Sequence, residues 1–241
     1  MVNKSVILLI LFSIMFTQNN QDARMMGLNG SYTTLASGFR SVGINPANLA
    51  VYPDKSFNVT DFFIGISNNY FSIDNYNALS GSHLHDTTYV NYFPEENILD
   101  ELGGRGLRIR QSLNLSFPAL NMSTHRMALT SRIISSLDVG ISDGMIRLYS
   151  GNPFGEDIYL NMDEVFLSTQ ELGFSYGHSF QGYHAGFTVK YLLGLFYMGM
   201  EPLSSATVTT DSYGFYGNPE YIIRQAIGGN GFGLDVGITT N

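Results

Sequence analysis

The sequence predicts an all-β fold: an antiparallel transmembrane β-barrel, partial, with a short N-terminal helical plug segment. Three observations carry that prediction: long stretches that alternate apolar and polar residues, connectors that are short at one end and long at the other, and a hydrophobic leader. One-sided strands joined in turn by tight turns and by loops of roughly thirty residues are what a barrel in a bilayer requires.

The leader comes first. Met1-Val2-Asn3-Lys4 is short and basic, Val6–Phe16 is a run of mostly large apolar residues, and polar Thr17-Gln18-Asn19-Asn20 follows. This is the pattern of a secretory signal peptide over residues 1–18, cleaved between about Phe16 and Asn20. A retained anchor is the alternative, but the run is about half the ~20 residues of a spanning helix.

Residues 19–56 form the second unit. Gly27, Gly30, Ala36, Ser37 and Gly38 allow close backbone packing, and Pro46 forces Asn45 out of helical geometry. A helix followed by a turn and wedged inside a lumen fits, with Gly27, Gly30, Asn45 and Pro46 as plug residues. An ordinary helix cap on a soluble domain is the competing reading.

Residues 57–241 carry the strand patterns. From Leu107 to Ala119 the odd positions are mostly apolar and the even ones polar. From Gln170 to Phe180, Leu172, Phe174, Tyr176 and Phe180 oppose Glu171, Gly173, Ser175, Gly177 and Ser179. From Ala185 to Gly199, Phe187, Val189, Tyr191, Leu193, Leu195 and Tyr197 lie opposite Thr188 and Lys190. Phe232, Leu234, Val236 and Ile238 alternate with glycines and Asp235. Less regular patterns occupy Phe57–Ile73 and His125–Ser135.

Short connectors are expected at Gln181-Gly182 and at Leu120–Thr124, and long loops at Asp74–Gly106, Ser136–Asp163 and Met200–Asn230. In an outer-membrane barrel short turns face the periplasm and long loops face outward. Six strands fall short of the ~8 of the smallest barrels, and an open edge in lipid leaves backbone groups unpaired. The chain is therefore expected to be the N-terminal part of a longer barrel. The alternative is a small complete barrel with further strands near Thr87–Phe93 and Ala206–Phe215.

Composition agrees. Apolar residues make up 44%, and the 15 Tyr and 17 Phe suit interfacial aromatic girdles. The absence of Cys excludes disulfides and thiolate metal sites, and a net charge of −8 argues against nucleic acid as a partner.

Arg108, Arg110, Arg126, Arg132, Glu171 and Lys190 fall on or near the polar faces. Facing lipid would cost about 2–4 kcal/mol for each Arg or Lys at mid-depth, so these residues are expected to face the lumen. Ion pairs that hold a plug are the preferred role, ahead of a path for solute.

No catalytic constellation stands out, so the chain is read as a non-enzyme needing neither cofactor nor metal. His83-Leu84-His85-Asp86 offers no third ligand at defined spacing. Gly228-Gly229-Asn230-Gly231 has no following Lys or helix and is not a phosphate loop. His125, His178 and His184 adjoin the expected short turns, where interfacial hydrogen bonding is the preferred reading.

The segments Arg24-Met25-Met26-Gly27-Leu28-Asn29-Gly30 and Gly43-Ile44-Asn45-Pro46-Ala47-Asn48-Leu49-Ala50 add a family signal. With Gly106-Leu107-Arg108, Val189–Gly194 and Gly228–Gly237 they give a chain that resembles outer-membrane barrels of the FadL and PorV type. The resemblance spans most of the mature chain, and the Asn-Pro-Ala block is its most specific part. It departs at Phe39-Arg40-Ser41, where many members carry an acidic, small-residue stretch.

The resemblance implies a periplasm-facing plug, a larger closed barrel and residence in the outer membrane of a two-membrane bacterium. It implies outer-membrane lipid as a neighbour and transport of hydrophobic small molecules. A secretion-associated barrel that binds or delivers exported proteins is the alternative. A soluble secreted β-protein is the least favoured reading, because the strands are greasy on one side only.

Overall fold

The computed structural model describes residues 23–28, 30–58, 61–84, 86–102, 106–116, 120–150, 154–201 and 205–240; the leader lies outside the described residues. In chain order the elements begin with α1 (Ala23–Gly27), a 3-10 turn (Gly38–Ser41), α2 (Asn48–Val51), β1 (Ser56–Phe57), β2 (Asp61–Asn68), α3 (Ile73–Leu79) and α4 (Glu95–Leu102). They continue with β3 (Leu107–Ser116), β4 (Met122–Thr124), β5 (Met127–Ile141), α5 (Asp143–Ser150), β6 (Asp157–Tyr159), β7 (Met162–Phe180) and β8 (Tyr183–Met200). Strands β9 (Ser205–Asp211), β10 (Gly214–Glu220), β11 (Ile223–Ala226) and β12 (Asn230–Thr240) follow.

The fold is mostly antiparallel β-sheet. β2, β3, β5, β7, β8 and β12 neighbour one another in that order, an up-and-down meander. β1 and β4 extend the sheet beside the start of β5, and β11 precedes β12 along the same edge of β8. Among the described residues β2 and β12 do not pair with each other, so the sheet is open.

Turn chemistry fixes the hairpins. Gln181 (φ 31°) and Gly182 (φ 92°) both adopt positive φ between Phe180 and Tyr183, the backbone a two-residue turn needs to follow strand twist. The second tight turn lies at His125-Arg126, not at Leu120–Thr124, because residues 122–124 are spent on β4. There the Asn121 side chain takes over both backbone bonds of Ser131, at 2.9 and 3.1 Å, where β3 has ended and β4 has not begun.

The two faces of the meander are opposite in character. On one, Phe62, Ile64, Ile66, Leu129, Phe174, Phe187, Val189, Phe232, Leu234, Val236 and Ile238 are exposed, with Ile66 at 72% and Phe232 at 79%. On the other, Ser175 and Thr188 are fully buried, and the segment from Gly38 to Val51 lies over it. We call the covered face inner and the bare face outer. Usual sheet packing is reversed: the small and polar side is buried and the apolar side is not.

Several expectations are corrected. β5 continues to Ile141 and β7 starts at Met162, so only the middle of Ser136–Asp163 is a connector, holding α5 and β6. Thr87–Phe93 forms turns and a single bridge from Tyr92 to His83. Ala206–Phe215 does form strands, but they belong to a separate three-stranded sheet in which β9 lies between β6 and β10. Leu195 is an extra residue in β8: Ser168 pairs with Phe196 and Thr169 with Gly194. The bulge reverses the alternation, and Tyr197, expected with the outward set, shares the inner face with Leu167. The N-terminal segment is three short helical turns and not a single helix followed by a turn.

Candidate functional site

Register assembles the inner face as rows of residues. Gly177, Gly186 and Gly237 pair side by side across β7, β8 and β12. The next row is Ala128, Ser175, Thr188 and Asp235, and the next Thr130, Gly173, Lys190 and Gly233. The first row presents no side chains, so backbone can lie directly on it.

The Asn45–Ala47 turn occupies the glycine row. A Cβ on Gly186 would strike the Pro46 carbonyl, one on Gly237 would strike Asn45 Oδ1, and one on Gly177 would come within 2.8 Å of the Ala50 nitrogen. Asn45 Oδ1 accepts the Ala47 N–H at 3.1 Å, which closes the turn before α2. Val42 and Leu49 pack on Ala128 of β5. Asn48, 1% exposed, donates to the carbonyls of Thr33 (2.7 Å) and Ala36 (2.9 Å), tying α2 to the preceding loop. Met25, Tyr32, Ala36 and Ile44 form a second small core within the segment. Gly38 lies against Ser56 and Ser123, whose hydroxyls share a 2.7 Å hydrogen bond.

Beside this seat runs a chain of ion pairs. Arg132 on β5 meets Glu171 on β7 at 2.6 Å, Lys190 on β8 meets the other oxygen of Glu171 at 3.6 Å, and Lys190 meets Asp235 on β12 at 2.6 Å. The Glu171 side chain is only 7% exposed. Gly43 of the segment lies over Arg132, where a Cβ would come within 2.8 Å of the guanidinium. Four strands and the covering segment are thus held by alternating charges and by missing side chains.

The sequence-derived candidates separate into groups. Asn45, Pro46, Arg132, Glu171 and Lys190 come together at the seat. Arg108 and Arg110 share the inner face but form their own cluster on Asp138, at 2.6 and 3.0 Å, farther along the strands. Arg126 stands apart from the strands: it lies in the β4–β5 turn, exposed, with its guanidinium 3.3 Å from His178 on the outer face. Gly30 takes positive φ at the bend after α1, whereas a Cβ on Gly27 would meet none of the described residues. Sequence reasoning missed Asp235, Asn48 and the glycine row. Only the register between strands reveals that these residues meet.

The remaining polar groups are explained locally. Ser179 and His184 hydrogen-bond at 2.9 Å beneath the end of α2. His83 stacks on Tyr89, and the Thr88 hydroxyl (2.6 Å) and amide (2.9 Å) donate to Asp86, which holds that carboxyl below the usual carboxylate range. His85 lies outside the described residues, and among those described no three metal-ligating side chains cluster. No helix among them is long and apolar enough to cross a membrane. No protein-family model, curated protein or solved structure matches the chain.

Proposed function

We propose that this chain contributes strands to an outer-membrane barrel, that residues 30–51 are its plug, and that the assembly passes hydrophobic small molecules across the membrane. One observation carries the reading: the apolar face of the meander is bare while its polar face is packed with backbone and ion pairs. Apolar side chains from 37% exposed at Leu172 to 79% at Phe232, spread across the meander, need a covering, and hydrocarbon fits that surface. The inner wall suits a plug, since small residues admit backbone and the buried charges pair across strands. Transport itself rests on the resemblance to FadL-type barrels. Closure requires partners for the edges of β2 and β12, because an unpaired edge in hydrocarbon costs several kcal/mol per backbone group.

The test has two stages. Cells expressing the protein are fractionated, and it is expected with detergent-extracted outer membranes; recovery in the soluble periplasm ends the proposal. Removal of residues 26–37 deletes the acceptors that Asn48 holds, and is expected to raise liposome permeability to a fatty acid while heat-modifiable gel mobility stays unchanged. A specific observation favours the secretion-associated reading as runner-up. The β6–β9–β10 sheet stands outside the meander with Tyr159, Phe215 and Tyr216 exposed, a surface suited to an exported protein. Unchanged permeability after the deletion, together with exported proteins cross-linking to position 216, would favour that alternative.

A further inference from the structure

The outer face of β7 changes character in steps as it nears the β7–β8 turn. Leu172 and Phe174 are apolar, Tyr176 is aromatic with a polar tip, and His178 is polar. On the neighbouring strand Leu129 pairs with Phe174 and Met127 with Tyr176, and Arg126 is the next residue, in the turn. The order is apolar, amphipathic aromatic, cationic. Acyl chain, interface and phosphate follow one another in the same order across a leaflet.

The cation is also arranged to bind. Arg126 is exposed and has no carboxylate partner among the described residues, unlike Arg108, Arg110, Arg132 and Lys190. Its Nη1 lies 3.3 Å from His178 Nδ1, and the Tyr176 hydroxyl lies 3.4 Å from the same nitrogen. A guanidinium only donates, so Nδ1 accepts from it, and the proton of the neutral imidazole is on Nε2. The His178 ring is fixed by edge-to-face contact with Phe180 at 4.5 Å and by stacking on Tyr176 at 6.4 Å. The remaining guanidinium N–H groups and the Nε2–H then form a set of donors with no acceptor among them, on a rim framed by exposed Phe180 and Tyr183.

We propose that Arg126 and His178 form a binding site for the phosphate of a membrane phospholipid, at the level where the outer apolar face ends. The proposal rests on the membrane reading above. Arg126 supplies charge-assisted hydrogen bonds to phosphate oxygens, His178 adds a donor, and Tyr176, Phe180 and Tyr183 take the glycerol and upper acyl region. The site is lipid-specific because the aromatic frame rewards acyl chains that a free phosphate lacks.

The test uses the full chain in detergent micelles, titrated with phosphatidylglycerol and read by native mass spectrometry, with inorganic phosphate as the second probe. Arg126→Gln and His178→Phe are expected to lower lipid retention about tenfold each, and Arg126→Lys to restore most of it. Inorganic phosphate at matched concentration is expected not to displace the lipid. Flotation with liposomes and heat-modifiable mobility check that every variant is folded and membrane-bound. Equal retention by wild type and both variants that float would overturn the site and leave the membrane reading standing. Displacement by inorganic phosphate would overturn its lipid specificity, and a wild type that fails to float would overturn both proposals.

Discussion

Gly186 and Gly233 stand on adjacent strands of one face, yet the same added methyl group should affect them differently. At Gly186 it meets the Pro46 carbonyl and the Ala47 nitrogen, backbone that cannot move without unseating the turn. At Gly233 it meets only the Lys190 stem, at 3.4 Å and beyond, which can shift. Gly186→Ala is expected to destabilise by about 1–3 kcal/mol through overpacking and to open the segment to limited proteolysis, whereas Gly233→Ala stays within about 0.5 kcal/mol. Equal melting temperatures for the two variants would remove the glycine row from the account. Charge gives a second contrast. Glu171→Gln takes the carboxylate from between two largely buried cations and is expected to cost about 3–5 kcal/mol in denaturant unfolding. Asp138→Asn is expected to cost no more than about 1 kcal/mol, because its partners Arg108 and Arg110 are 44% and 63% exposed and water screens them.

At the scale of the element, β8 shows what alternation can and cannot reveal. From Ala185 to Leu193 its pattern reads correctly, because one face is apolar and the other lies beneath a compact segment. Past the bulge at Leu195 the reading fails, since one inserted residue exchanges the faces and no residue type announces it. β7 fails differently: Val165, Phe166 and Leu167 are apolar on both faces, so its first half gives no period-two contrast. The two serines at Ser135-Ser136 interrupt the sequence pattern of β5, although Leu137, Val139 and Ile141 continue it. Ser135 in fact hydrogen-bonds Ser168 at 2.8 Å across the strands. Labelling can read this coverage. Thr188 lies on the polar face of β8, yet it is fully buried beside Ser175, with the segment covering that face. Thr188→Cys should resist an aqueous thiol reagent in the intact protein and become reactive once residues 26–37 are deleted, while Val189→Cys should react only with a lipophilic reagent. Aqueous labelling of position 188 before deletion would show that the face is not covered.

For the whole molecule, the seat of Pro46 is built from β7, β8 and β12, strands that follow it late in the chain. The segment must therefore wait for strands that are made well after it. Contacts so distant in sequence form slowly, because the intervening chain has to be ordered before they can stabilise anything. They are also selective. A slip of one residue between β8 and β12 would set Val236 or Ile238 beside Gly186 and turn that side chain toward Pro46, where only a hydrogen atom fits. Docking of the segment thus acts as an inspection step in assembly: it can be completed only on strands that have already found their correct pairing, and a misregistered sheet would leave the segment undocked.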